Sequence, residues 1–326
     1  MMPAHLPTGP YQMRCLTSLA ELERLTFSFD VFLYLQPVHV ILQQGPNARA
    51  YILQEKDTKL VVGLAYFFVE EEKAFSPWRA PFGGLQLHPD IPEEAGQAFL
   101  LYIQQDLQQL GCQQVTWLQC PDAYAPVTNQ WLRAALPMQG YCLTYDQLNH
   151  HIPVTQEPFT EIIHPSARRR LKKCLSAGFT FQQETFESLP EAYALLQQCR
   201  QEKQKPLSLS LSQLTRYFQL FPDRYLLFTV RREQELAAVG IAVLVTPSIL
   251  NHLYPASPVK FNTFSPSILL NAGLYQYCQH HHIPTFDLGV SAPPQELEES
   301  YTGLFTFKDR MGGVASRKPT FVKAQD

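Results

Sequence analysis

Two stretches of this chain run through the same order of elements, and that repeat constrains the fold more than any other feature. In the first, AYILQEKDTKLVVGLAYFFVE (50–70) reads as two strands rich in β-branched and aromatic residues, joined by a charged turn at Glu55–Lys59. A Pro/Gly-rich loop follows, SPWRAPFGGLQLHPD, and then IPEEAGQAFLLYIQQDLQQLG. There Phe99, Tyr102, Ile103, Leu107 and Leu110 share one helical face and Gly111 supplies the stop. VTWLQCP closes the series as a short buried strand. In the second stretch, residues 224–257 read as three strands with turns at Arg232–Gln234 and Pro247–Ser248. A Pro/Ser loop, the helix FSPSILLNAGLYQYCQHHH and the strand TFDLGVS complete it. Order and lengths match although identities hardly do, which predicts two copies of one α/β unit.

Length permits this: 326 residues suffice for two ordinary domains, and 45% hydrophobic with 17% charged residues gives each a core. HHIPVTQEPF (150–159) has two prolines and no periodicity, so the boundary is expected there, with domains at 1–155 and 156–326. The fold class expected is α/β (α+β): two tandem domains, each a mixed central sheet flanked by helices. The formal charge of -3 shows no overall basic excess, so nucleic-acid binding would need a local patch. Seven cysteines with no CxxC pair support neither a disulfide framework nor a zinc site, and no metal is expected. The start lacks the apolar core of a signal peptide, and no apolar run is long enough for a membrane span. A soluble cytoplasmic protein is the expectation.

Several motifs bear on chemistry. On the helix RRRLKK (168–173), Arg168, Arg169, Lys172 and Lys173 cover one arc, with Arg170 at its edge, while Ala167, Leu171, Cys174 and Leu175 cover the other. That pattern is either a solvated face or an anion site for phosphates or an RNA backbone. The loop VKFNTFSPSILL (259–270) has no glycines; Ser265 is placed as N-cap and Pro266 at the first helical position. Ser188 and Ser210 are read as further N-caps. Ser267 lies with Ser265 at a helix start that suits a phosphate. FDLGVS places Asp287 and Ser291 around a strand end, where Asp287 either orients a nucleophile or gives charge to a site, or is a buried carboxylate satisfied by backbone amides. His280–His282 suit a helix C-terminus, and His150–His151 fall in the expected linker. In FTFKDRMGG (305–313), Lys308 is either a surface charge or a cation aimed into a cleft.

The elements RRRLKKCLSAGF, LNHLYPAS, FSPSILLNAGLYQYC, FDLGVS and GLFTFKDRMGG, in this order, resemble the GNAT-superfamily acyltransferases of the FemABX (peptidoglycan bridge-forming) and BioF2-like group. That group is built of tandem GNAT folds. The resemblance covers residues 160–323 and rests most on D-L-G-x-S followed by F-K-x-x-x-G-G. It implies an N-acyltransferase: a primary amine attacks an acyl or aminoacyl group activated on coenzyme A or on tRNA. Lys308 matches the lysine implied to meet the developing oxyanion, with Phe305 and Phe307 holding its helix. Asp287 and Ser291 would line the amine site. Arg168, Arg169, Lys172, Lys173, Ser265 and Ser267 would bind phosphates of the co-substrate, acyl-CoA or aminoacyl-tRNA, with no tightly bound cofactor. Asn251, Tyr254 and Phe307 are the candidates for substrate contact. The acceptor implied is a small-molecule or cell-wall-precursor amine, with tRNA as a possible partner. Two departures stand out: the GNAT pyrophosphate pattern R/Q-x-x-G-x-G/A is absent from both halves, and so is the helical-hairpin arm of some tRNA-dependent members. They motivate the alternative, an inactive GNAT-fold module that binds a ligand or protein partner.

Overall fold

A computed structural model of the chain describes residues 9–204, 206–292 and 299–324. They form two compact units, one running up to Leu148 and resuming at Ser316, the other spanning Asn149–Ala315. The expected boundary lay a few residues later, at 155, and assigned the last strand to the second unit.

The first unit runs β1 (Tyr11–Leu16), α1 (Leu19–Leu22), α2 (Pro37–Leu42), β2 (Ala48–Glu55), β3 (Val61–Glu70), β4 (Lys73–Ser76), β5 (Leu85–Leu87), α3 (Glu93–Gln109), β6 (Gln114–Leu118) and α4 (Pro126–Met138). The strand β7 (Cys142–Pro153) then crosses into the second unit. The β2–β3 turn is tight because Lys59 takes a left-handed φ of 61. Residues Val61–Val69 of β3 are buried on both faces, as a central strand requires. Helix α3 covers the sheet with Phe99, Leu100, Ile103 and Leu107, whereas Leu110, expected on that face, lies past the helix end and is exposed. Arg49 on β2 makes a paired hydrogen bond to Asp106 of α3, which also accepts from the Tyr51 hydroxyl at 2.7 Å. This partly buried charge pair fixes the helix against the strand.

The second unit continues with α5 (Phe159–Ile162), α6 (Pro165–Ser176), β8 (Phe179–Glu184), α7 (Leu189–Glu202), α8 (Leu211–Leu220), β9 (Tyr225–Arg232), β10 (Glu235–Thr246) and β11 (Ile249–Ala256). Then come α9 (Pro266–His280), β12 (Thr285–Ala292), α10 (Glu299–Arg310) and β13 (Val314–Ala324), the last of which returns to the first unit. Its core gathers around α9, where Gly273 leaves room for the Phe181 ring.

The repeat is visible in the pairing. The first unit orders its strands β1-β2-β3-β4-β6-β13, antiparallel except for the parallel pair β4–β6. The second orders β8-β9-β10-β11-β12 with β7 beside β12, and its parallel pair is β11–β12. Each parallel pair is joined by a crossover helix, α3 in one unit and α9 in the other, as parallel neighbours require. The strand closing the first unit comes from the far end of the chain.

Local signals held unevenly. Ser210 forms a full capping box with Gln213. Ser188 makes no cap and donates to Glu184 instead, because it stands at the end of a 3-10 turn with helical ψ. Ser265 does not cap α9: it sits in the left-handed region at φ 56, and its hydroxyl donates to the Asn262 carbonyl. Leu175, placed on the buried arc of α6, is exposed, while Ala167, Leu171 and Cys174 are buried. All seven cysteines are unpaired thiols. No helix among the described residues is long and apolar enough to cross a membrane.

Candidate functional site

Strands β11 and β12 pair over three residues only, Ile249–Asn251 against Thr285–Asp287. Beyond that point each continues for five residues, to Ala256 and to Ala292, without pairing to the other. The sheet of the second unit therefore splits at the carboxyl ends of two parallel strands, where ligands enter sheets of this kind.

Asp287 stands at the fork. Its carboxylate is buried and accepts three N–H groups: Asn149 of β7 at 2.6 Å and the Gly289 amide at 2.9 Å on one oxygen, and Asn251 of β11 at 2.7 Å on the other. Only one of these three donors is a backbone amide; the other two are asparagine side chains from neighbouring strands. Asn251, expected at the substrate, is used to hold Asp287. Gly289 has φ +77, and a Cβ built there would meet nothing within 4 Å among the described residues, which leave the backbone at the fork open to close approach.

Lys308, on α10, is buried at 6% exposure, so it is not a snorkelling surface lysine. Its ammonium donates to the carbonyls of Gly289 at 2.7 Å and Val290 at 2.8 Å. An ammonium carries three N–H bonds, and the third has no partner among the described residues. Burial holds this lysine down to about 8, and the Asp287 charge opposes the fall.

Three histidines surround this pair. His150 shares a 2.6 Å hydrogen bond with Ser291, both fully buried, and packs edge-on against Phe305 at 5.0 Å. Burial and then the Lys308 charge push His150 down to about 4. His252 on β11 lies under the Phe286 ring and is likewise held at about 4 by burial. Burial also lowers His151. Asn149 escaped sequence reasoning and His150 was assigned to the expected linker 150–159, whereas β7 runs through both to Pro153. Asn149, His150 and Ile152 are buried and His151 is half-buried, a burial that the polar run NHHI, with a single apolar residue, does not signal.

A cleft of about 420 Å³ opens nearby among α6, α9 and α10. Ala167, Ile268 and Phe307 line it with carbon, and Arg170 and Arg310 bring charge. Arg170 also reaches Ser265 at 3.4 Å, beside the start of α9. The other cations of α6 do not line this cleft. Arg168 faces Glu161 at 3.9 Å, Lys173 lies over the Phe264 ring, and Arg169 and Lys172 are exposed. Ser267 gives its carbonyl to Asn271. Tyr254 turns away from the fork, bonding the Ser208 hydroxyl with Arg200 over its ring.

No family model and no curated protein matches the sequence. Solved structures do match. FemX superposes with a TM-score of 0.70 at 15% identity over 96% of this chain and 97% of its own. The fold is that of FemX. L-PGS from Bacillus licheniformis matches with a TM-score of 0.54 at 12% identity, over 80% of this chain and 81% of its own. A tandem GNAT protein from the clavulanic acid pathway gives 0.50 at 11% identity, over 96% and 98%. The tandem architecture expected from the sequence is thus shared with FemX and with the tandem GNAT structure, and β11–α9–β12 with its fork lies in the second unit.

Proposed function

We propose that this protein is an N-acyltransferase, moving an acyl or aminoacyl group from an activated donor to a primary amine. The observation that carries the reading is Lys308: a buried ammonium fixed by two strand carbonyls at the fork of a FemX-like fold, with one N–H left over among the described residues. When an amine attacks an ester or thioester carbonyl, negative charge collects on the carbonyl oxygen. A preorganised cation in a site shielded from water stabilises that charge without reorganising. The remaining N–H of Lys308 is the donor for it. The open backbone at Gly289 lets the acyl group come close.

The cleft among α6, α9 and α10 suits the donor's phosphate-bearing end, with Arg170 and Arg310 as counter-charges and Phe307 and Ile268 as an apolar wall. The exposed cations Arg169 and Lys172 extend that charge along α6, which fits a longer polyanion such as aminoacyl-tRNA better than a lone pyrophosphate. Acyl-CoA is the other donor of this chemistry. A cell-wall-precursor amine as acceptor rests on the sequence resemblance to the FemABX group.

A binding module without chemistry is the second reading. It is favoured by the absence of the glycine-rich pyrophosphate loop. Incubation with labelled aminoacyl-tRNA or acyl-CoA and a panel of primary amines separates the two. Transfer that is lost in Lys308→Met supports the enzyme. Saturable ligand binding with no transfer supports the module.

A further inference from the structure

Successive carbonyls of an extended strand point to opposite sides, so one ammonium does not ordinarily reach two in a row. At the fork it does: the two carbonyls lie on either side of Val290, directly after the left-handed Gly289, whose turn sets the direction in which the first of them leaves the strand. That conformation is held by the preceding side chain: the Asp287 carboxylate accepts the Gly289 amide at 2.9 Å, two residues on, in the manner of an Asx-turn. The turn swings the Gly289 and Val290 carbonyls towards Lys308. The carboxylate is itself held. Asn149 donates at 2.6 Å to the same oxygen that takes the Gly289 amide, and Asn251 holds the other at 2.7 Å. Asn149 is 1% exposed, and one N–H of its side-chain amide makes this contact.

We propose that Asn149 is a positioning residue that sets the place of the Lys308 ammonium, acting through Asp287 and the turn at Gly289. Its consequence for catalysis rests on the acyltransfer reading; the chain of hydrogen bonds does not. Without Asn149 the carboxylate oxygen nearest Gly289 loses one of its two donors and is free to rotate about its bond. The Gly289 turn then relaxes, the two carbonyls diverge, and the ammonium loses both acceptors and the nearby negative charge.

The groups facing this pair are His150 and His151 on β7 and His252 on β11, with Asp309 of α10 acting on His150. The three histidines are all lowered and carry no charge at pH 7 to 9. Titration of Lys308 in that range therefore reports on Asp287 and the carbonyls.

The test is an NMR titration of protein labelled at lysine Cε, with Lys308 assigned by Lys308→Arg, together with amide exchange at Gly289. Asp287→Asn serves as the reference and should lower the Lys308 midpoint by about one unit or more. Asn149→Leu, with the fold verified by circular dichroism, should lower it by about half a unit and speed exchange at Gly289 roughly tenfold. Should Asn149→Leu fail to fold, Asn149→Ala is read the same way. A midpoint and an exchange rate both unchanged from wild type would overturn the proposal. Turnover is not the readout, so failure of the acyltransfer reading would show separately, as a fully active Lys308→Met enzyme.

Discussion

Lys308 donates to the Gly289 carbonyl at 2.7 Å, and Gly289 holds a left-handed φ of +77. The charge and the turn depend on each other. The turn presents the carbonyls, and the ammonium satisfies oxygens that strand pairing leaves unused where β11 and β12 part.

Lys308→Met keeps the length of the side chain and removes its charge. Loss of one oxyanion donor typically costs a hundred- to a thousandfold in kcat. The expected result is a drop of roughly that size with donor KM little changed, measured by initial rates of acyl transfer. An unchanged kcat would remove Lys308 from the mechanism.

The same residue gives stability a pH dependence. Folded Lys308 loses its proton near pH 8 and a free lysine near 10.5. Between these values the unfolded chain binds more protons, so stability rises with pH across the window. The rise is on the order of 3 kcal/mol and is absent from Lys308→Met. Urea unfolding of both proteins at pH 7.5 and pH 10 measures it; parallel behaviour would show that the buried ammonium is relaxed by water.

His252 acts at the acid end. It is held at about 4 against an ordinary 6.5, so the unfolded chain takes up the extra proton as pH falls from 6.5 to 4. Stability from this residue is complete above 6.5 and lost on acidification, by on the order of 3 kcal/mol. His252→Gln should show a shallower acid limb in melting temperature against pH. An identical limb would assign the acid sensitivity elsewhere.

Two glycine substitutions should separate strain from collision. Gly289→Ala meets open space and costs only the left-handed conformation, about 1–2 kcal/mol, yet should impair transfer through Lys308. Gly84→Ala, also at positive φ, drives its Cβ to within 1.8 Å of Gln119, whose side chain holds both the amide and the carbonyl of Leu85. It should cost clearly more. Melting temperatures give the order, and the reverse order would contradict these local geometries.

Arg170→Ala should weaken the donor about tenfold or more in KM, the scale of one charged hydrogen bond to phosphate. Arg168→Ala should do little, since Arg168 is half exposed and faces Glu161. Equal effects would move the donor out of the cleft and onto the exposed face of α6.

The architecture was legible because element order survives where identity does not. The β2–β3 hairpin, the amphipathic α3 and the run from β9 to β12 each announce themselves by periodicity and turn residues. The fork was less so. Asp287, Ser291 and Lys308 stand in recognisable motifs, but their partners Asn149 and His150 come from a segment whose prolines mimic a linker. Contacts across 138 residues of sequence leave no local trace. The basic run on α6 was visible as a whole, yet only Arg170, the residue assigned to its edge, reaches the cleft. Helical periodicity places a face and not the neighbour that the face meets. Ser265 failed as a cap because the preceding 3-10 turn imposes a left-handed residue that its chemistry does not suggest.

The most direct measurement is calorimetric titration of the protein with an aminoacyl-tRNA and with an acyl-CoA, each run with wild type and Arg170→Ala. The account predicts saturable binding of one of these donors, weakened by the substitution. Absence of binding to both would contradict it and leave the chain a FemX-like fold without a donor site.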